Sequence, residues 1–429
     1  MKFWSMAAVA VIVLGGLLVA REAQAAPSAG TKLAGGFSSG RGMKVGPDGM
    51  IYIAEAGSGG DIVAPNNAGK SGYTGRISKI NPSTGAVTVV ADKLPSNSGS
   101  EGDAVGPADV AFVGNTLYYV QTHGGVAYGF PATSPTGVYR VNSNGTVTLV
   151  ADIGAFNIAN PVDDVKNKVQ QDIEIGGNPY SMIQRDGALF VVDGNQNQVM
   201  KVTTSGTITR LAQFPGHPVT TGITYTGGGP FYVSALGQFP FAPADGRVYR
   251  VGYPTGSVTQ VASGYSSLTN IITACGGQLY AVQFGDQSGN PAGIPWIPFS
   301  GKVLKVDPST GVMTPIITGL LIPTGVAFDG TNLYFVNDGV SALGPSEVWS
   351  VANFCSVTPP APTPTAAATQ APPAPAPTAT PRGGVIAAPN TGDGSSAGAD
   401  APPAMWALVA LVAGVAVLGG GIAAGRKRG

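Results

Sequence analysis

Residues 46–56 read Gly-Pro-Asp-Gly-Met-Ile-Tyr-Ile-Ala-Glu-Ala, and residues 77–80 read Ile-Ser-Lys-Ile. The first segment contains a short apolar strand with a central aromatic residue, and the second alternates at period two, as strands do. The aromatic strand occurs six times, at residues 51–53, 117–119, 189–191, 231–233, 279–281 and 333–335. A strand of the second kind follows each copy, at residues 77–80, 138–141, 199–202, 248–251, 303–306 and 348–351. An internal repeat of this length decides the fold class.

Five of the six copies contain signals for four strands, because an apolar strand precedes the aromatic one and a turn with β-branched residues follows the last. Four-stranded units repeated about an axis form a β-propeller. We therefore predict an all-β, six-bladed β-propeller over residues 26–356. The sixth unit ends after Val351 without a fourth strand, so we expect residues 31–36 to complete the last blade. A seven-bladed ring is the alternative, because residues 152–177 are a long insertion, but they lack the aromatic strand and we interpret them as a loop with a short helix.

Composition agrees with a β fold. The 429 residues include 64 glycines and 35 prolines, which would destabilise helices, while 43% hydrophobic residues are enough to bury a core. Only 11% of the residues are charged, and the net charge is zero. The chain lacks the basic stripe of a nucleic-acid-binding protein.

Both ends of the chain are predicted to be targeting segments. Residues 1–25 carry Lys2, an apolar run and then Ala23-Gln24-Ala25, which has the small-x-small form of a signal-peptidase site; an uncleaved N-terminal anchor is the alternative. Residues 404–424 carry no charge and precede a basic tail at residues 425–429. This pattern predicts a transmembrane helix with a cytoplasmic tail, and hence a propeller outside the cell.

A stalk is predicted between the propeller and this span, at residues 357–403. Nine prolines lie within residues 358–381, a composition that favours an extended polyproline II chain. The segment Ala388-Pro389-Asn390-Thr391-Gly392 follows. With the span and the basic tail it resembles a sortase cell-wall sorting signal, in which Pro389, Thr391 and Gly392 match the motif and Ala388 replaces its leucine. A covalent wall anchor and a transmembrane anchor both display the propeller on the cell surface.

The propeller segments also resemble a known family. Residues 323–328, residues 46–57 and the Val-x-Lys/Arg-Val strands are similar to NHL-type propellers. More narrowly, residues 46–57 together with residues 106–112 resemble the ScyD/ScyE family, named for secreted proteins linked to scytonemin pigment biosynthesis in cyanobacteria. The resemblance implies a six-bladed propeller outside the cytoplasm, and it does not fix a molecular activity.

Polar residues recur where the aromatic strands end. Aligning the repeats places polar side chains at five of six such ends, and further polar residues at the start of the first strands, with Arg41 beside one of them. We expect these candidate ligand-binding residues to surround the mouth of the central channel: Arg41, Glu55, Asp109, Gln121, Asp193, Asn270, Gln283 and Asn337.

A divalent cation such as Ca²⁺ is the candidate cofactor for this ring, because it binds carboxylate and amide oxygens. The candidate metal ligands are Glu55, Asp109, Asp193 and Asn270. The set is similar by position to the ion site of gluconolactonase/regucalcin propellers, although the glutamate-bearing motif of that group is missing. The alternative is that these groups line the channel and bond to one another and to water.

Three further features bear on function. His123 is predicted on the channel-mouth face, where it is a candidate general base. Cys275 and Cys355 are the only cysteines, and in an exported chain they are candidates for a disulfide, with two buried thiols as the alternative. The loops after the aromatic strands carry Phe239, Phe241, Trp296 and Phe299, which either form a recognition surface or only cap the channel.

We therefore expect an exported, surface-displayed propeller that acts as a non-catalytic binding module for an extracellular ligand or envelope protein. The alternatives are a metal-dependent propeller enzyme, resembling a lactone hydrolase or assisting the tailoring of an exported metabolite, and a structural component of the envelope. Fold alone does not choose among them.

Overall fold

The computed structural model describes residues 27–360, except for residues 66–67, 99–103, 164–173, 175, 239–240, 288–295 and 343. The predicted signal peptide, nearly all of the stalk, the Ala388–Gly392 motif, the membrane span and the basic tail lie outside the described residues. Within these ranges, no helix is both long and apolar enough to cross a membrane.

The described chain folds into six antiparallel sheets, which are the blades of a β-propeller. From the axis outward, blade 1 contains β2 (Gly40–Val45), β3 (Ile51–Glu55), β5 (Lys70–Ile80) and β6 (Val87–Ser98), with the short strands β4 (Ile62–Val63) and β7 (Ala104–Val105). Blade 2 contains β8 (Pro107–Val113), β9 (Thr116–Gln121), β10 (Gly137–Val141) and β11 (Val147–Asp152). Blade 3 contains β12 (Pro179–Arg185), β13 (Ala188–Asp193), β14 (Gln198–Val202) and β15 (Ile208–Gln213).

The other three blades have the same order. Blade 4 contains β16 (Thr220–Tyr225), β17 (Phe231–Ala235), β18 (Gly246–Val251) and β19 (Val258–Tyr265). Blade 5 contains β20 (Leu268–Ala274), β21 (Gln278–Gln283), β22 (Gly301–Val306) and β23 (Met313–Leu320). Blade 6 contains β24 (Val326–Phe328), β25 (Leu333–Asn337), β26 (Ser346–Val351) and β1 (Thr31–Phe37). The six-bladed prediction is confirmed.

The N-terminal strand closes the ring. β1 pairs antiparallel with β26, with Thr31 opposite Ser350 and Phe37 opposite Ser346. The N-terminal segment therefore supplies the fourth strand of blade 6, as the sequence predicts. The insertion after β11 forms the helix α1 (Ile153–Ala159), which begins where the Asp152 side chain accepts a hydrogen bond from the Ala155 amide at 2.8 Å.

The core lies between the blades. In the described part of the chain, six clusters of buried apolar residues are found, and each is shared by two neighbouring blades. Successive residues of a strand point to opposite faces of its sheet. Phe190 on β13 accordingly packs against Phe231 of blade 4, with ring centroids 4.6 Å apart, whereas Val191 faces the cluster shared with blade 2. The second strands of all six blades are buried on both faces.

In blades 1 to 5, the turn between the third and fourth strands packs against the preceding blade. Gly256 has a φ of 71°, and a Cβ at this position would overlap the carbonyl oxygen of Leu211 on β15. A glycine with positive φ contacts the preceding blade in the same way in blades 1, 2, 3 and 5: Gly85, Gly145, Gly206 and Gly311. This face of the propeller is therefore made of tight turns packed against their neighbours.

Blade 6 has no such turn, because its fourth strand is β1. Instead, a disulfide joins Cys355, in a 3₁₀ turn after β26, to Cys275, in the turn between β20 and β21. The two Cα atoms are 5.3 Å apart. Of the two alternatives that the sequence left open, the structure has the bond. It covalently joins blades 5 and 6 on the face that carries the tight turns.

Candidate functional site

The long connections between second and third strands lie together on the face opposite the tight turns, because all second strands run toward it. We call this surface the loop face. Five of the eight residues predicted around the channel mouth are the last residues of second strands: Glu55, Gln121, Asp193, Gln283 and Asn337. Their side chains are directed to the loops of this face, as the following contacts show.

Glu55 fastens the connections around blade 1. The carboxylate is fully buried; it accepts hydrogen bonds from Arg76 Nε at 2.7 Å and Ser78 Oγ at 2.6 Å, and from the Ser38 amide at 2.9 Å. A buried charge needs such partners to offset its desolvation. Glu55 is therefore satisfied within its own blade and the connection that leads into it.

Asp193 has the same role in blade 3. It is fully buried, and it accepts hydrogen bonds from the amides of Asn178, Asn195 and Gln196 and from the Asn157 side chain of α1. Burial raises the pKa of this carboxyl group, although these hydrogen bonds oppose the rise. Asp193 therefore holds the insertion after blade 2 against blade 3.

The remaining strand-end residues also bond to nearby loops. Asn337 accepts a hydrogen bond from the Leu321 amide at 2.8 Å, and Gln283 donates one to Asp286 at 2.7 Å. Gln121 donates to the carbonyl oxygens of Pro95 and Thr122 at 3.0 and 2.7 Å. Each of these side chains positions a connection of the loop face.

Asp109 and Asn270 lie on first strands, next to the axis. Asp109 forms an ion pair with Lys44 of blade 1 at 3.0 Å and accepts a hydrogen bond from Ser181 Oγ of blade 3 at 2.8 Å. Asn270 donates to the carbonyl oxygen of Thr324 in blade 6 at 3.2 Å. These two side chains bridge neighbouring innermost strands.

The predicted metal ligands are therefore not brought together. Glu55, Asp109 and Asp193 each belong to a separate hydrogen-bonded network with no shared partner. Among the residues that the structure describes, no group of three or more His, Cys, Asp and Glu side chains could hold a metal ion. The alignment placed these residues on the right strands, but their side chains point into different junctions, and they do not fit one shared cation.

His123 lies at the centre of another network. Its Nε2 atom is 3.1 Å from both carboxylate oxygens of Glu174, its Nδ1 atom is 3.3 Å from Asn97 Oδ1, and its ring stacks on Tyr128 with centroids 4.1 Å apart. Burial raises the pKa of Glu174, but the charge of His123 and hydrogen bonds from His123 and Tyr128 outweigh it, so the pKa is lowered. Because both ring nitrogens are engaged, the geometry does not present His123 as the general base that the sequence suggested.

Arg41 has a different environment. The side chain is 8% exposed, and it donates from Nη1 to Gly339 O at 2.5 Å and from Nη2 to Ala104 O at 2.6 Å. It borders a cavity of about 80 Å³ whose polar side chains, besides its own, are Thr122, Asn178 and Tyr180. None of these three belongs to the predicted ring. Tyr180 directly precedes Ser181 as Arg41 precedes Gly42, and this shared register could have revealed it.

The predicted aromatic surface is only partly exposed. Trp296 packs against Phe284 with ring centroids 4.9 Å apart and donates to Ser267 Oγ at 3.3 Å. Phe241 and Phe299 are half-buried, and Phe239 lies outside the described residues. The two most exposed apolar side chains of the described loop face lie over blades 1 and 2, where Val63 is 74% and Val126 is 64% exposed; Ile158 of α1 and Ile297 of the blade 5 loop are single exposed residues elsewhere on it.

No family model matches the chain, and no curated protein matches it in sequence. Among solved structures, it is similar to a gluconolactonase from Xanthomonas campestris at 13% identity, with 75% of this chain and 88% of that chain covered and a TM-score of 0.47. It is also similar to regucalcin, a calcium-binding protein from Agrobacterium tumefaciens, at 13% identity, with 76% and 94% covered and a TM-score of 0.46. A PQQ-bound aldose sugar dehydrogenase from Streptomyces coelicolor matches at 12% identity, with 76% and 98% covered and a TM-score of 0.46.

Proposed function

We propose that this protein is an exported, surface-displayed binding module of the ScyD/ScyE type, whose loop face recognises an extracellular ligand or an envelope protein. The segments that resemble that family support the assignment, and the targeting segments read from the two ends support the placement. The disulfide between Cys275 and Cys355 agrees with it, because disulfides persist in oxidising compartments. Either form of C-terminal anchor, through the membrane or to the cell wall, serves this function.

One observation carries the proposal, an apolar patch on the loop face. Four exposed apolar side chains form it: Ile62, Val63, Tyr73 and Val126. Their segments are adjacent, because Gly129 lies against Ile62 and the Tyr73 ring is 5.4 Å from Phe130. Apolar side chains that cluster on a loop face, bordered by polar groups, are typical of interaction sites.

The patch is built on a fixed scaffold. Ser71 on β5 donates a hydrogen bond to the Tyr128 carbonyl at 2.5 Å, and Asn97 on β6 donates to Ser71 at 2.9 Å. The stack of His123 on Tyr128 holds the 3₁₀ turn that carries Val126. Because its elements are joined by these buried bonds, the surface is preorganised, which lowers the entropy cost of binding.

The alternatives have less support. A metal-dependent lactone hydrolase would need its carboxylates to share an ion, whereas Glu55, Asp109 and Asp193 are each engaged in a separate network. A purely structural envelope component would give no role to exposed valines on the loop face. Neither alternative is favoured by a specific contact.

Site-specific photo-crosslinking on cells that display the full chain tests the proposal. A photo-reactive residue at position 63 or 126 should give a discrete adduct. The matched control is position 312, where Val312 is 56% exposed in a turn of the opposite face. Adducts of equal yield at all three positions, or none at 63 and 126, would refute the assignment of the loop face as the recognition surface.

A further inference from the structure

The six blades are not equivalent at the axis. One position at the entry of each blade, in its first strand or just before it, is occupied in blades 4, 5 and 6 by a threonine. Each threonine donates its hydroxyl to a carbonyl oxygen of the next blade: Thr221 to Leu268 at 2.7 Å, Thr269 to Pro323 at 3.0 Å and Thr324 to Gly40 at 2.8 Å. At these three junctions, a short side chain fills the space between neighbouring blades, and its hydroxyl has a hydrogen-bond acceptor.

The same position in blades 1, 2 and 3 is occupied by Arg41, Ala108 and Tyr180. None of them repeats the threonine bond among the described residues, and all three line the cavity of about 80 Å³. Its volume is well above the roughly 10–15 Å³ that one water needs. The departure from the repeat therefore opens a cavity on one side of the axis, in which a few polar side chains stand among small apolar residues.

Arg41 and Tyr180 bring hydrogen-bond donors to the wall of the cavity. A guanidinium group has five N–H donors, and only two donate to carbonyl oxygens, those of Gly339 and Ala104. The other three have no acceptor among the described residues. Burial raises the pKa of the Tyr180 phenol, with Arg41 opposing and Asp109 adding to the rise, so its hydroxyl stays protonated and can also donate.

The charges around the cavity favour an anion. The adjoining Asp109 carboxylate is paired with Lys44 at 3.0 Å, so these two charges cancel, and Arg41 contributes an unbalanced positive charge among the described side chains that border the site. A guanidinium fork fixed by two backbone carbonyls binds planar or tetrahedral oxyanions well. Buried, it interacts more strongly than it would in water.

We propose that this cavity binds the anionic group, a carboxylate or a phosphate, of a small extracellular molecule, with Arg41 as the principal contact and the Tyr180 hydroxyl as the second. The inference rests on the proposed function, since it supplies a ligand class for the loop face. The small side chain of Ala108 leaves room for the anionic group, and the Asn178 amide at the wall can bond the rest of the molecule. The Thr122 hydroxyl already donates to the Pro179 carbonyl oxygen.

The test uses the full chain and four probes: acetate, glucuronate, inorganic phosphate and uncharged glucose. A probe that binds the native state raises the thermal midpoint of unfolding by mass action. Because a weak ligand is expected, each probe is added at about 10 mM. We expect glucuronate or phosphate to raise it and glucose not to, and the comparison of these two anions decides between a carboxylate and a phosphate ligand. Titration calorimetry then gives the affinity of the stronger probe.

Two variants separate binding from folding. Arg41→Met should weaken binding by about tenfold or more, because it removes charged hydrogen bonds, and Tyr180→Phe by about threefold to tenfold, because it removes one hydroxyl. Tyr232→Phe is the matched control, since this buried tyrosine lies in blade 4, away from the cavity. If Arg41→Met fails to fold, Tyr180→Phe alone decides.

The proposal is overturned if no anion stabilises the protein, or if Tyr180→Phe binds the anion as the wild type does. Crosslinking at positions 63 and 126 is the independent readout. If adducts form at these positions although no anion binds, the proposal of the loop face as a recognition surface stands and only the anion site is refuted.

Discussion

Removal of the disulfide should destabilise the propeller strongly, because Cys275 and Cys355 enclose a long segment, with a sequence separation of 80. In the chain-entropy account, a closed loop of this length restricts the unfolded state by about 4.5 kcal/mol at room temperature. The double substitution Cys275→Ser with Cys355→Ser should therefore lower the free energy of unfolding by about 4 to 5 kcal/mol. Urea titration of the full chain, monitored by tryptophan fluorescence, measures this quantity.

The loss of stability should be concentrated in blade 6. Blade 6 lacks the glycine turn that locks the other blades, so the two strands that close the ring, β26 and β1, should exchange amide protons faster in the variant than the strands of blade 3. Reductant should reproduce the effect in the wild type and change nothing in the variant. A difference below about 1 kcal/mol between the two proteins would refute the reasoning, since it would mean that the bond does not restrict the unfolded chain.

Two further predictions concern packing and charge. Phe231→Ala should lower the free energy of unfolding by about 3 to 5 kcal/mol, because the ring is fully buried against Phe190. Val312→Ala, at an exposed position, should change it by no more than about 0.5 kcal/mol. Urea titration measures both variants, and equal losses of stability would contradict a core that lies between the blades. Glu174 has a lowered pKa beside His123, so its carboxylate stabilises the fold above the unfolded pKa of about 4.3 and loses this effect as pH falls through the folded pKa. Glu174→Gln should thus be less stable than the wild type near neutral pH. In thermal melts, the difference between the two midpoints should narrow below about pH 4. A difference that stays constant with pH would show that the charge of Glu174 is not responsible.

The repeat made the architecture predictable. The aromatic triplets fall within the second strands of all six blades, because a strand buried on both faces consists largely of apolar residues. Ring closure by β1 followed from the missing fourth strand of the last unit. These features depend only on local pattern and on the need to pair the edge of a sheet.

For the site, the sequence could predict only which strand carries each residue and how far along the propeller axis the residue lies. A shift of one residue along a strand moves a side chain to the other face, so alignment of the repeats selected Glu55 and Asp193, which fasten loops, and overlooked Tyr180. The bond between His123 and Glu174 joins residues 51 positions apart, across an insertion that has no counterpart in the other blades. No repeat pattern can report such a contact.

The position of Cys355 also decides how the propeller carries a mechanical load. The chain leaves blade 6 just beyond this residue, so tension applied from the C-terminal side reaches the fold there and is transmitted through the sulfur bridge to Cys275. Residues 276–354 lie inside a closed covalent loop and cannot be extended while the bridge is intact. A pull on the C-terminal side therefore acts on blade 5, and the three strands of blade 6 that lie inside this loop, β24, β25 and β26, are shielded from being peeled off the ring.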